Sequence, residues 1–147
     1  MKVKSFRKTF DELQTTDLYQ ILQLRSEVFV VEQECPYQDM DDFDQHSTHF
    51  WINAGDQIVA YARVIPPDAG RCQIGRVVSA IAARGRGYGK EVFEQALEYC
   101  HEQFRKIPIE LSAQLYALDF YAGFGFNVEG KVYLEDGIPH VKMLRHS

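Results

Sequence analysis

Residues Ala83–Leu97 read ARGRGYGKEVFEQAL. They place Gly85, Gly87 and Gly89 among Arg84, Arg86 and Lys90, and then pass directly into helical periodicity. A glycine-rich turn that feeds a helix presents backbone N–H groups with no intrahelical partner, and the helix dipole adds partial positive charge there. Glycine also lets an anion approach the main chain closely. With three cations added, the chemistry is that of a phosphate or pyrophosphate site; the bland alternative is an exposed basic turn. Two familiar phosphate loops do not fit. Gly89-Lys90 is followed by Glu91, so the hydroxyl that a Walker loop offers to Mg²⁺ is missing, and Gly85-x-Gly87-x-Gly89 lacks the spacing of a dinucleotide fingerprint.

Charge is distributed unevenly around this corner. From Glu27 to Asp56 there are eight acidic residues and no Lys or Arg; from Arg71 to Lys90 there are five cations and no acid. Either these are solvated faces, or a cationic ligand meets the first stretch and an anionic ligand the second. Arg25 falls seven residues after Leu18, on the apolar side of an expected helix. A guanidinium there must snorkel or meet a carboxylate. It is expected to pair with one of Asp39, Asp41, Asp42 or Asp44, or else to bind a carboxylate of the substrate.

The elements that must position these groups follow from pattern. Thr16 and Asp17 can cap a helix carrying Leu18, Ile21, Leu22, Val28 and Phe29, which Pro36 should stop. PYQDMDDFDQHST reads as a loop, HFWIN and IVAYARVI as a hairpin joined by AGDQ, PPDAG as a turn, and RCQIGRVVSA as a strand in which Gly75 suggests a bulge. Tyr88, Val92, Phe93, Ala96, Leu97, Cys100 and Phe104 mark an amphipathic helix. IPIELSAQ is a strand, LYALDFYAGFGF a short helix ending at Gly123 or Gly125, and NVEGKVYLEDGIPHVKML two strands around EDGIP. The order β-α-β-β-β-α-β-α-β-β implies one right-handed parallel crossover within an otherwise antiparallel sheet, an α/β (α+β) architecture with helices on both faces.

The chain has 147 residues and ordinary globular composition, and a single domain over 1–147 is expected. A net charge of −5 argues against nucleic-acid binding. The opening MKVKSFRKTFDEL carries no apolar h-region and no run is long enough for a bilayer, so neither a secretory signal nor a membrane partner is expected. Cys35, Cys72 and Cys100 form no pair motif and read as buried, reduced thiols of a cytoplasmic protein.

Arg84–Gly89 resembles the [Q/R]xxGx[G/A] motif of the GNAT superfamily of acyl-CoA-dependent N-acyltransferases, and it stands where that family has it, after a long strand and before the central helix. Phe120–Phe126, FYAGFGF, is similar to the family's FYxxxGF segment. LQLRSEVFVVEQECPYQD, AYARV, IGRVV and YLEDGIPH resemble the ElaA-type branch, across almost the whole chain. The resemblance implies a mixed, mostly antiparallel sheet whose splayed strand pair forms an acyl-CoA slot, with Gly75 at the bulge that opens it. Val77, Val78 and Ser79 would pair with the pantetheine arm through backbone groups. Arg84, Gly85, Arg86, Gly87, Tyr88, Gly89 and Lys90 would hold the pyrophosphate, and Gln114, where the family often has Asn, would contact the cofactor. Ser79 stands where Val is frequent. Acetyl-CoA is then the co-substrate, and no metal is expected.

The chemistry so implied is direct attack by an amine of a small molecule or peptide, a cationic one if the acidic stretch faces it. A backbone N–H near Val78 would meet the oxyanion, and Tyr121 would serve the leaving thiolate. Glu32, His49, Glu110 and His140 are the candidate bases, and Arg25, Phe29, Glu32 and His140 the candidate acceptor contacts. Two other readings stand beside this one. One is a non-catalytic acyl-CoA sensor. The other is an acyl-homoserine-lactone synthase, whose R-x-x-x-F element Arg25–Phe29 resembles. A homodimer is compatible with the family, with no interface marked in the sequence.

Overall fold

The computed structural model describes residues 2–146. Its elements run β1 (Val3–Thr9), α1 (Thr15–Arg25), a π-helical continuation (Ser26–Glu32), β2 (Thr48–Ala54), β3 (Gln57–Asp68), β4 (Arg71–Ser79), α2 (Tyr88–Gln103), β5 (Ile109–Gln114), α3 (Leu118–Ala122), β6 (Asn127–Glu135) and β7 (Ile138–Arg145). One seven-stranded sheet has the order β1-β2-β3-β4-β5-β7-β6. Only β4 and β5 are parallel, joined through α2; every other neighbouring pair is antiparallel.

Alternation distributes side chains to the two faces. Phe50, Ile52, Ala60, Ala62, Cys72 and Ile74 pack with Val92, Phe93, Ala96, Leu97 and Cys100 of α2. Trp51, Tyr61 and Val78 pack on the other face with Ile21, Leu24 and Val28 of the first helix. Val78 has the parity of Cys72 and Ile74 yet faces the opposite layer. The cause is one extra residue in β4: Arg63 aligns with Gly75 but Tyr61 with Val78. A bulge of one residue reverses the facing of everything after it. The bulge falls directly after Gly75, where the sequence suggests one, and the residue in the left-handed conformation is its neighbour Arg76, at φ +50°.

Several boundaries differ from the sequence reading. The first helix is capped at Gln14, two residues before Thr16, and the Asp17 carboxylate accepts from the Gln14 N–H at 3.0 Å. Its last turns widen, with Gln33 N–H donating to Val28 O and Cys35 N–H to Val30 O, five residues back in each case. β3 runs through Pro66 and Pro67, which lie at a break in its pairing with β4, so the missing N–H groups leave no ladder bond unmade. α3 ends at Ala122 with Gly123 as its C-cap, and Gly125, at φ +88°, turns the chain shortly after.

The acidic loop is not a solvated face. Arg25, fully buried, donates to Asp39 at 2.9 Å and Asp44 at 2.7 Å. Arg63 reaches Asp41 and Asp44, and Arg76 reaches Asp39 and Asp41. Three guanidinium groups and three carboxylates thus neutralise one another between the first helix, the loop and strands β3 and β4. The Arg25 guanidinium also lies over the Tyr61 ring, 5.7 Å from its centroid. Burial opposes ionisation of Asp41, but hydrogen bonds from Arg63 and the charges of Arg63 and Arg76 outweigh it and hold the carboxyl at about 2. Asp44 is held below its ordinary value by the same balance, with Arg25 and Arg63 as its partners.

Removing one member of such a lattice leaves buried charge uncompensated. Arg25→Met is expected to destabilise the fold by about 3–5 kcal/mol in urea denaturation. Because folding depresses the Asp41 and Asp44 values, their contribution is fully present above the ordinary carboxylate value of about 4. It is lost as pH falls toward about 2. An acid titration of the unfolding midpoint should show the wild-type slope in that window reduced in Asp41→Asn.

Candidate functional site

β4 and β5 are in register only at Cys72–Ile109 and Gln73–Glu110. Arg71 ties this closed end, bonding Glu110 at 3.0 Å and Glu129 at 2.7 Å. Beyond it the strands part, and a cleft of about 630 Å³ opens. Val77, Val78 and Ser79 of β4 form one wall, Gln114, Tyr116, Ala117, Phe120 and Tyr121 the other, and Phe29, Glu32 and Gln33 the roof. The π-helical widening brings this roof forward, a distortion that often accompanies functional sites. A smaller cavity lies beyond the splay and shares Phe29, Gln33, Val77, Gln114, Tyr116, Ala117 and Tyr121 with the cleft. Its own lining is polar, including Tyr37, Arg76, Ser112, Glu135 and His140.

The glycine corner stands at the mouth of the cleft. Gly87 caps α2 at φ +80°, and the first main-chain helical bond is Glu91 N–H to Gly87 O. No side chain caps this end, so the N–H groups of Tyr88, Gly89 and Lys90 are free for an anion. Gly89 packs closely on the end of β4: a Cβ there would sit 2.7 Å from Ser79 Oγ, and the serine hydroxyl would have to rotate away. The helix end is thereby drawn against the tip of β4. Arg86 and Lys90 are exposed and in no ion pair among the described residues. Arg84 grips Glu32 with both nitrogens, at 2.6 Å each.

Backbone direction along β4 refines the oxyanion expectation. Ala80 N–H donates to Val59 O at 2.8 Å, and Val78 aligns with Tyr61 two residues on. In an antiparallel ladder, facing alternates, so Val78 turns its N–H toward β3 and Ser79 turns its own toward the open side. The available donor is that of Ser79, and Val78 contributes wall.

Tyr121 lies at the junction of the two cavities, its ring 5.2 Å from that of Phe93 and 5.1 Å from that of Phe120. Burial, with a small addition from Tyr116, raises its pKa, so it remains a neutral phenol with a proton to share. The four candidate bases separate clearly. His49 is buried between Tyr61 Oη at 2.6 Å and Asp44 O at 2.9 Å, lines neither cavity, and is pushed down by burial. Glu110 belongs to the clamp at the closed end. Glu32 is held below its usual value by the Arg84 hydrogen bonds. His140 lines the smaller cavity, and its Nδ1 lies 2.7 Å from Ile138 O. A carbonyl only accepts, so Nδ1 carries the hydrogen and Nε2 presents the lone pair. Nε2 is 3.5 Å from Glu135.

Thus Phe29, Glu32, His140, Gln114, Tyr121, Val77, Ser79 and the 84–90 corner converge on two joined cavities, whereas Arg25 lies inside the ion lattice, with no surface for a substrate. Sequence reasoning missed Gln33, Tyr116 and Glu135. Gln33 follows Glu32 and Tyr116 lies two residues after Gln114, but no spacing marks either; Glu135 belongs to the YLEDGIPH string. Among the described residues no group of three His, Cys, Asp or Glu side chains is placed to hold a metal, and no helix is long and apolar enough to cross a membrane.

A cleft between splayed parallel strands, with an uncapped helix end at its mouth, defines an acyltransferase-type architecture. Residues 11–146 match the acetyltransferase (GNAT) domain, and the chain belongs to that family. It is 43% identical over 138 residues to Protein ElaA of Escherichia coli, covering 91% of this chain and 90% of ElaA. An acyl-CoA N-acyltransferase from Pseudomonas aeruginosa superposes with TM-score 0.93 at 41% identity, covering 98% of this chain and 99% of that one. A GNAT family acetyltransferase from Elizabethkingia anophelis, solved with acetyl-CoA bound, shares the fold at TM-score 0.67 and 12% identity, covering 99% and 98%.

The left-handed Gly87 gives a direct test of the corner. Gly87→Ala is expected to lose about 1–2 kcal/mol of stability, and Gly87→Asn less, in parallel urea melts.

Proposed function

We propose that residues 1–147 form one acyltransferase domain that moves an acetyl group from acetyl-CoA to an amine of a small molecule or peptide. The observation that carries this reading is the continuity of three features: a free helix N-terminus with Arg86 and Lys90, an open β4 edge, and a second polar cavity meeting the first at Tyr121. The corner suits a pyrophosphate, the edge an extended amide-bearing arm, and the polar cavity an acceptor.

In this mechanism His140 Nε2 takes a proton from the acceptor ammonium, oriented by the bond from Nδ1–H to Ile138 O. The amine lone pair then forms a bond to the thioester carbonyl carbon. The Ser79 N–H meets the resulting oxyanion. Collapse breaks the C–S bond, and the electron pair leaves on sulfur, where the Tyr121 hydroxyl donates a hydrogen bond; the thiolate takes the proton that remains on nitrogen, leaving a neutral amide and the CoA thiol. The raised pKa of Tyr121 favours this hydrogen bond over complete transfer, because a free thiol titrates at about 8.5. A sensor would need neither a phenol at the junction nor a base facing it, so Tyr121 and His140 favour turnover.

Calorimetric titration should give micromolar acetyl-CoA binding, weakened about tenfold in Arg86→Ala/Lys90→Ala; no binding to wild type would overturn the cofactor assignment. In an amine-library assay Tyr121→Phe should lower kcat by about 10- to 100-fold with acetyl-CoA affinity unchanged. His140→Gln should lower kcat by about 100-fold with acetyl-CoA affinity unchanged. An unchanged kcat in the purified Tyr121 variant would remove that residue from the mechanism.

A further inference from the structure

Glu32 and Arg84 are 52 residues apart in sequence and come from opposite sides of the cleft mouth, the roof and the glycine corner. Their contact is bidentate, two parallel N–H···O bonds of 2.6 Å, the geometry in which a guanidinium also grips phosphate. Yet both side chains are partly solvated, at 44% for Arg84 and 32% for Glu32. A pair so placed is worth little to the fold, so stability does not account for it. The contact also joins the corner that suits a pyrophosphate to the side of the cleft where the acceptor cavity begins.

Resting on the cofactor assignment above, we propose that Glu32 is an internal stand-in for the CoA pyrophosphate: it holds the Arg84 fork across the cleft mouth, and the phosphates displace it from Arg84 when CoA binds. Glu32 is then a positioning residue. It keeps Arg84 oriented for two oxygens in the empty protein and competes with the cofactor for the same donors. The neighbouring cations Arg86 and Lys90 and the free α2 N–H groups supply the surplus attraction that lets the phosphates win. A ligand lacking phosphates has no means of taking Arg84 from Glu32.

The test is a double-mutant cycle by calorimetry, with CoA and pantetheine as the two probes. Glu32→Gln should bind CoA about two- to fivefold more tightly than wild type, the range an exposed ion pair supplies. Arg84→Ala should bind CoA more weakly, and adding Glu32→Gln to Arg84→Ala should change nothing. Pantetheine affinity should be the same in wild type and Glu32→Gln. If Glu32→Gln leaves CoA affinity unchanged while wild type binds CoA, the stand-in role fails and the cofactor assignment survives. If Glu32→Gln tightens CoA equally without Arg84, the effect is simple charge repulsion and the proposal is overturned. Absence of CoA binding by wild type would remove both readings. Both residues lie at the surface, so circular dichroism should show the variants folded.

Discussion

The arrangement depends on one extra residue in β4. Arg76 holds left-handed backbone, which for a residue with a Cβ costs about 1–2 kcal/mol. Three contacts offset that strain: Nε to Asp39 Oδ1 at 2.9 Å, Nη2 to Asp39 O at 2.9 Å, and Nη2 to Asp41 at 3.3 Å. The bulge lies just past the last β4–β5 pair, reverses the facing of Val78, and turns the strand's tip toward α2 and the first helix. Without it Val78 would enter the α2 layer and the two halves of the site would lose their common wall.

The same carboxylates that stabilise the bulge also pair with Arg25 and Arg63, so the loop of residues 36–47 is fastened from three directions. Each charge in this lattice has a partner of opposite sign, and Arg63 Nε is the one nitrogen of these guanidinium groups buried without a hydrogen-bond partner. Such a lattice contributes less to stability than an apolar core of equal volume, but it permits few alternative arrangements. It fastens the loop that follows the helix whose π-helical end forms the roof of the cleft. Arg76, which belongs to the lattice, also lines the smaller cavity. Packing of the loop and geometry of the site are therefore linked through one side chain.

At the other end of the cleft, Gly89 against Ser79 brings α2 close to β4, and the open N-terminus of α2 faces the mouth. Arg71 fastens the closed end. Between these two points the strands diverge, with their inner edges free of ladder bonds. Unpaired main-chain groups in a partly buried cleft are costly unless water or a ligand satisfies them, and an extended amide-bearing arm does so well. This is the physical sense in which the open edge suits an extended, amide-bearing ligand.

Sequence alone determined the order of elements, the hairpins, the amphipathic α2 and the cation-bearing glycine corner, because each depends on neighbours within a few residues: period, turn chemistry and missing Cβ atoms. The similarity of Arg84–Gly89 and FYAGFGF to family motifs carried the fold and the position of Tyr121. Tertiary structure alone decided which acids are internal, because Asp39, Asp41 and Asp44 meet arginines 14 to 37 residues away. It decided that Arg76, next to Gly75, takes the left-handed conformation in the bulge, since the strain at Arg76 is offset by those carboxylates. It also separated the four candidate bases, which look alike as letters. His140 faces the site, His49 is sealed, Glu110 is clamped and Glu32 holds Arg84, because burial and partner geometry come from elements distant in sequence.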